Sequence, residues 1–188
     1  MNFIRTEIAD VVIIEPKIFQ DNRGYFFESF RQDLFEKFIN KKINFIQENE
    51  SKSHYGVLRG LHFQKSPFAQ AKLVRVIQGS VIDIAVDLRK NSKSFKKYIK
   101  VELSAENKRQ LFIPRGFAHG FLVTSPEVIL SYKVDNYYSK ENDSGIRYDD
   151  PLIGIDWGID TNDIVLSEKD ISVQTLEEWL KTPASNLF

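Results

Sequence analysis

Only three histidines occur in the 188 residues, at positions 54, 62 and 119. His62 lies in "GVLRGLHFQ", Gly56 to Gln64, an apolar run that also carries an arginine and a glutamine. A histidine so placed can hold a metal, move a proton or simply pack, and its ordinary pKa of ~6.5 suits proton transfer near neutrality. Lys72 follows ten residues later at the head of "KLVRV", His119 stands in "IPRGFAHGFLV", and Tyr132 stands in "VILSYKV". A protonated lysine can stabilise a nascent oxyanion. Each residue also has an ordinary reading: His62 packed in a strand, Lys72 at a solvated strand end, Tyr132 a core tyrosine with a satisfied hydroxyl. His54, in the polar run "SKSHYG", shares none of this context and is given no role.

Composition narrows the classes. With no cysteine, a disulfide scaffold, a zinc-thiolate site and a thiol nucleophile are all excluded. Lys plus Arg and Asp plus Glu number 26 each, so no broad field favours nucleic acid or an anionic membrane, and any anion-binding cations must be local. The opening "MNFIRTEIADVVIIEP" lacks the basic-then-apolar order of a signal peptide, and no segment reaches the length of a membrane span. A cytoplasmic protein is expected.

The elements that must hold these side chains are mostly strands. "VIDIAVDLR" puts Ile82, Ile84, Val86 and Leu88 on one face against Asp83, Ala85 and Asp87 on a polar one, and "YIKVELS" and "VILSYKV" repeat the period of two. Turn signals separate the runs: "DNRG", "IQGS", "RKNSKS", "SAENK" and "SPE". Helical spacing appears in "RQDLFEKFIN", with Leu34, Phe35, Phe38 and Ile39 as one stripe, and in "TLEEWL"; both helices read as peripheral. Phe26, Phe27 and Phe30 read as core. Many short strands with few helices point to an all-β jelly roll formed as one domain over residues 1–188.

Set together, "GVLRGLHFQKSPFAQAKLVRVIQG" and "IPRGFAHGFLV" resemble the two sequence boxes of the cupin superfamily, jelly-roll barrels with a site in the barrel mouth. Metal-binding cupins place two histidines and a carboxylate in the first box and a histidine in the second. Here those places hold His62, Gln64, Lys72 and His119. An amide is a poor ligand and an ammonium brings its own charge, so no metal is expected.

The blocks "FQDNRGYFFESF", "QENESKSHYGVLRGLHFQ", "AQAKLVRVIQGSVIDIAVDLRKNSKSF", "QLFIPRGFAHGFLV", "YKVDNYYS", "GIRYDDP" and "LSEKD" resemble, in order, the dTDP-4-dehydrorhamnose 3,5-epimerase family over nearly all of Phe19 to Asp170. The resemblance implies a homodimer that needs no cofactor and inverts carbons 3 and 5 of a nucleotide-linked 4-keto sugar. It implies His62 as base, Asp170 as the carboxylate behind it, Tyr132 as the acid on the opposite side and Lys72 beside the enolate oxygen. It also implies substrate contacts from Arg23, Glu28, Gln47, Asn49, Arg59, His119, Tyr138 and Lys169, with Tyr138 stacking on the base. Asp143 stands where the family has a glutamate, and Tyr148 where a tryptophan is common. Two alternatives stay open: an epimerase acting at one carbon or on another nucleotide sugar, and a non-catalytic cupin that binds such a sugar.

Overall fold

The computed structural model describes residues 1–188. Thirteen strands are formed: β1 (Asn2–Arg5), β2 (Val12–Glu15), β3 (Ile18–Asp21), β4 (Gly24–Phe27), β5 (Gln47–His54), β6 (Leu58–Gln64), β7 (Lys72–Gln78), β8 (Ser80–Asp87), β9 (Tyr98–Ser104), β10 (Gln110–Ile113), β11 (Phe117–Val123), β12 (Glu127–Val134) and β13 (Asp143–Gly145). The helices are α1 (Gln32–Ile39), α2 (Glu168–Ser172) and α3 (Leu176–Lys181). A first sheet runs β1-β2-β10-β7-β12-β5 and a second runs β13-β6-β11-β8-β9. Neighbours within both are antiparallel. The two sheets pack face to face as a jelly roll of the expected all-β class.

Each strand face has a different cover. Val74, Val76, Leu111, Val128 and Leu130 of the first sheet meet Val81, Ala85, Val101, Phe121 and Val123 of the second in the core between them. Outside the first sheet, Phe35 of α1 packs on Val12, Ile14, Leu73 and Phe112. Outside the second, Leu176 and Trp179 of α3 pack on Leu61, Phe63, Ile84 and Leu122. The helices are peripheral in position, yet Phe35 and Trp179 are wholly buried. Leu34 departs from the expected stripe and stays exposed, because the eight-residue α1 turns only the Phe35, Phe38 and Ile39 side toward the sheet.

The polar face of β8 points inward. Asp83 and Asp87 are both wholly buried, since the apolar face of this strand is taken by the C-terminal layer. Asp87 is satisfied by Arg89, Ser92 and Ser94 in the following loop. Phe26 does not join the core. Strands β3 and β4 pair only with each other and stand off the sandwich, leaving Phe26 70% exposed, while Phe30 packs against Phe35 and Phe45 as expected.

Candidate active site

The bend that aims His62 is built into β6. Opposite β11, His119 pairs with His62 but Phe121 pairs with Arg59, so β6 carries one extra residue at this point. Leu58 and Leu61, three apart, therefore share the outer face. Gly60 makes the crossing possible: it sits at φ +144, and a Cβ there would lie 2.5 Å from the Cα of Gly120. The N–H freed by the irregularity is not lost, because Gly60 donates it to Asp170 Oδ1 at 3.2 Å.

Asp170 is fixed from its own side by α2. Ser167 and Asp170 form a reciprocal capping box, with the Ser167 hydroxyl donating to Asp170 Oδ2. Oδ1 then lies 2.7 Å from His62 Nε2 without the alignment of a hydrogen bond, and the carboxylate is 4% exposed. Burial pushes the Asp170 carboxyl up, but the His62 and Ser167 contacts and the Gly60 N–H together hold it down to about 2. A depressed carboxyl contributes stability that is present above its unfolded value of 3.8 and is lost as pH falls through the folded value. Urea unfolding between pH 5 and pH 2 is thus expected to show the native protein losing about 2 kcal/mol more than an Asp170→Asn variant.

Three more groups surround His62. Lys72, at the start of β7, reaches 3.4 Å from the His62 carbonyl and 5.9 Å from the Tyr132 ring. Its stem keeps some exposure, but burial of the ammonium pushes its pKa down to about 8, against the opposing pull of Asp83 and Asp143. His119 is buried with Nε2 at 3.0 and 2.9 Å from the two Asp83 oxygens. Burial lowers its pKa, Asp83 opposes that, and Lys72 adds to it. Asp83 had no assigned role in the sequence; its inward orientation follows from the alternation of β8, whose Ile82, Ile84 and Val86 face the other way.

Tyr132 comes from the first sheet, opposite Asn49 of β5 on one side and Val74 of β7 on the other. It packs against the central core and faces the same interior as His62 from the opposing sheet. Burial raises its pKa, while Asn49 and Arg59 lower it. Arg59 donates to Ser53 Oγ at 3.0 Å.

At the rim, Tyr138 donates its hydroxyl to Asp143 Oδ2 at 3.1 Å, and Lys169 pairs with the same carboxylate oxygen. Asp143 thus gathers two of the expected substrate contacts. Gln64, at the second cupin ligand place, is buried and accepts the Ser139 N–H at 2.9 Å, which ties it to the loop that carries Tyr138. No group of three or more His, Asp and Glu side chains is arranged to hold an ion. Arg23 and Glu28 lie elsewhere. Arg23 is in the β3–β4 turn, bound to Asp21 with its side chain 86% exposed, and Glu28 is exposed beyond β4. A separate cleft beside α1, with Arg89 and Arg115 in its wall, is no rival site, because those arginines are already bonded to Asp87, Asp10 and Asp135.

Residues 5–178 match the family model for dTDP-4-dehydrorhamnose 3,5-epimerase. The chain belongs to the dTDP-4-dehydrorhamnose 3,5-epimerase family. A curated member from Shigella flexneri is 55% identical over 174 residues, covering 93% of this chain and 95% of that protein. The crystal structure of the dTDP-4-dehydrorhamnose 3,5-epimerase from Elizabethkingia anophelis is 49% identical with a TM-score of 0.91, covering 95% of this chain and 97% of that one. That of the dTDP-6-deoxy-D-glucose-3,5-epimerase from Legionella pneumophila, in complex with dTDP-4-keto-L-rhamnose, is 46% identical with a TM-score of 0.90, covering 94% and 93%. In this chain His62 comes from the second sheet and Tyr132 from the first, and the Lys72 ammonium lies 3.4 Å from the His62 carbonyl and 5.9 Å from the Tyr132 ring.

Proposed function

We propose that the chain epimerises carbons 3 and 5 of dTDP-4-keto-6-deoxy-D-glucose, giving dTDP-4-keto-L-rhamnose for dTDP-L-rhamnose synthesis. The observation that carries this reading is His62 backed by Asp170 on the second sheet, opposed by Tyr132 on the first, with the Lys72 ammonium near both. A ketone at carbon 4 acidifies the protons on carbons 3 and 5. His62 takes one of these, the electron pair moves into an enolate whose oxygen faces Lys72, and Tyr132 delivers a proton to the other face of the same carbon. The phenolate takes a proton from water, and the imidazolium gives its own to the hydroxide so formed, which resets both groups for the second carbon. Repetition at the second carbon completes the inversion. No redox step occurs, so no organic cofactor is called for, and Lys72 takes the electrostatic task a metal has in other cupins.

Tyr138, Asp143, Lys169, Arg59, Gln47, Asn49 and His119 are the substrate contacts offered by one chain. Arg23 and Glu28 complete the set only if they come from a second copy. The exposed apolar surface of Ile18, Phe19, Tyr25 and Phe26 on the same hairpin supports a homodimer in which each hairpin covers the other copy's site. Replacing Phe26 with Asp is expected to produce monomers in analytical ultracentrifugation, and Arg23→Ala to raise KM at least ~10-fold with the dimer intact. A monomeric native protein would remove the second-copy assignment. We place the protein in the cytoplasm, where nucleotide sugars are made.

The direct test is deuterium uptake from heavy water into the 4-keto sugar by chelator-treated protein, with the product trapped by the next reductase. Label at carbons 3 and 5 with a rhamnose-configured product is the expected result. Label at a single carbon would make the protein a mono-epimerase, and none would sink the reading.

A further inference from the structure

The segment between β12 and β13 carries Tyr138, and burial does not hold it. Tyr137 and Tyr138 are 63% and 53% exposed, and neither joins a core cluster. Hydrogen bonds must therefore decide where the ring stands. The Tyr138 N–H donates to Gln47 Oε1 at 3.1 Å, and the next N–H along the chain, that of Ser139, donates to Gln64 Oε1 at 2.9 Å. A backbone N–H can only donate, so each glutamine meets the segment with its oxygen. Gln47 opens β5 of the first sheet and Gln64 closes β6 of the second.

These two N–H groups belong to the peptide planes on either side of the Tyr138 Cα. Each plane is rigid, and only the two dihedrals at the Cα separate them, so pinning both planes fixes the direction in which the Tyr138 side chain leaves the backbone. The anchors are also in register with the reacting groups. Gln64 lies two residues beyond His62 on β6, and so on the same strand face, while Gln47 lies two residues before Asn49, the cross-strand partner of Tyr132.

We infer that Gln47 and Gln64 form a clamp of positioning residues that act through Tyr138, aiming its ring for the nucleobase before the ligand arrives. The inference rests on the reading of Tyr138 as the residue that stacks on the base. An exposed aromatic left free would have to be ordered on binding, and that ordering would weaken the ligand's hold. The clamp removes that loss and refers the platform to both sheets of the cavity. It also gives Gln64 a task at the place where metal-binding cupins carry a second histidine. The ends of the segment are held separately, since Gln70 donates to the Asn136 carbonyl and the Asn142 carbonyl accepts the Lys65 N–H. Losing one glutamine thus loosens the ring without releasing the segment.

The experiment is calorimetric titration of dTDP into the full-length wild type, Gln64→Met, Tyr138→Ala and the double variant. Methionine keeps the length of the buried side chain and removes the acceptor. Gln64 is chosen because Gln47 is also expected to touch the substrate. An unfolded fraction lowers the stoichiometry and leaves the Kd of the folded sites unchanged. The Tyr138 contact with Asp143 is lost on both sides of the comparison and cancels. Tyr138→Ala is expected to weaken dTDP at least ~10-fold, within the range of stacking on one aromatic ring. Gln64→Met should weaken it at least ~5-fold where Tyr138 is present and less than ~2-fold in the Tyr138→Ala background, the non-additivity of residues that act as one unit. An equal loss in both backgrounds would mean that Gln64 acts elsewhere, and would overturn the clamp. If Tyr138→Ala weakens dTDP and Gln64→Met does not, the clamp is wrong and the stacking assignment stands. If Tyr138→Ala keeps native affinity, the stacking assignment falls and the clamp with it. A wild-type protein that binds no dTDP would remove the nucleotide-sugar reading and the clamp together.

Discussion

Replacing His62 by Asn is expected to lower kcat by ~10²-fold to 10⁴-fold while dTDP binds with nearly native affinity. Asparagine stays polar but has no basic nitrogen and is too short to reach Asp170 as Nε2 does, and native dTDP binding shows that the fold is kept, so the loss reports the missing imidazole. The effect is large because nothing else near the reacting carbons can take a proton there. His119 is buried and held by Asp83, Lys72 is needed as a cation, and Asp170 has its oxygens occupied by Ser167, Gly60 and His62. Asp170→Asn should fall less far, because the imidazole remains a base but loses its counter-charge. Steady-state turnover with calorimetric binding of dTDP checks both. If His62→Asn keeps near-native deuterium uptake at carbons 3 and 5, another base serves the reaction and the site must be redrawn.

Strand alternation and turn residues made the sandwich legible, because β8, β9 and β12 each have one continuous apolar face. What alternation could not say is which face meets which layer. The acids of β8 look solvent-facing in a half-buried strand; only the C-terminal layer, arriving from residues 146–188, turns that side inward and makes Asp83 the partner of His119. Asp170 reads locally as a turn residue, and its position behind His62 depends on a contact 110 residues away in sequence, between its carboxylate and the Gly60 N–H. The extra residue in β6 has no periodic signature either, since it shows only in the pairing with β11. Phe26 was misjudged for a related reason. Its hydrophobicity argues for burial, but strands β3 and β4 have no third neighbour in the chain to cover them. The residues whose placement hinges on distant pairing or on a second copy are the ones that pattern alone leaves open.

Replacing Lys72 by Met should slow the chemical step by roughly 100-fold to 1000-fold, the usual cost of losing one preorganised donor to an oxyanion, and should also make the protein more stable. The two effects share one cause. A buried ammonium costs free energy, which is why burial pushes the Lys72 pKa down to about 8 from 10.5. The unfolded chain holds the proton more tightly, so wild-type stability rises with pH between about 8 and 10.5, while Lys72→Met lacks that dependence. At neutral pH the variant should gain on the order of 1 kcal/mol, and the gap should close as pH passes through that window. Catalysis has the opposite sign: the ammonium is present below about 8, so the native rate should decline on the alkaline side, and the residual activity of the variant should lack that limb. Urea unfolding at pH 7 and pH 10, set beside the pH profile of deuterium uptake, tests both at once. A lysine retained only for packing would lose stability on replacement and leave the profile unmoved. A gain in stability with a loss of rate identifies a charge kept in the cavity for the oxygen it meets there.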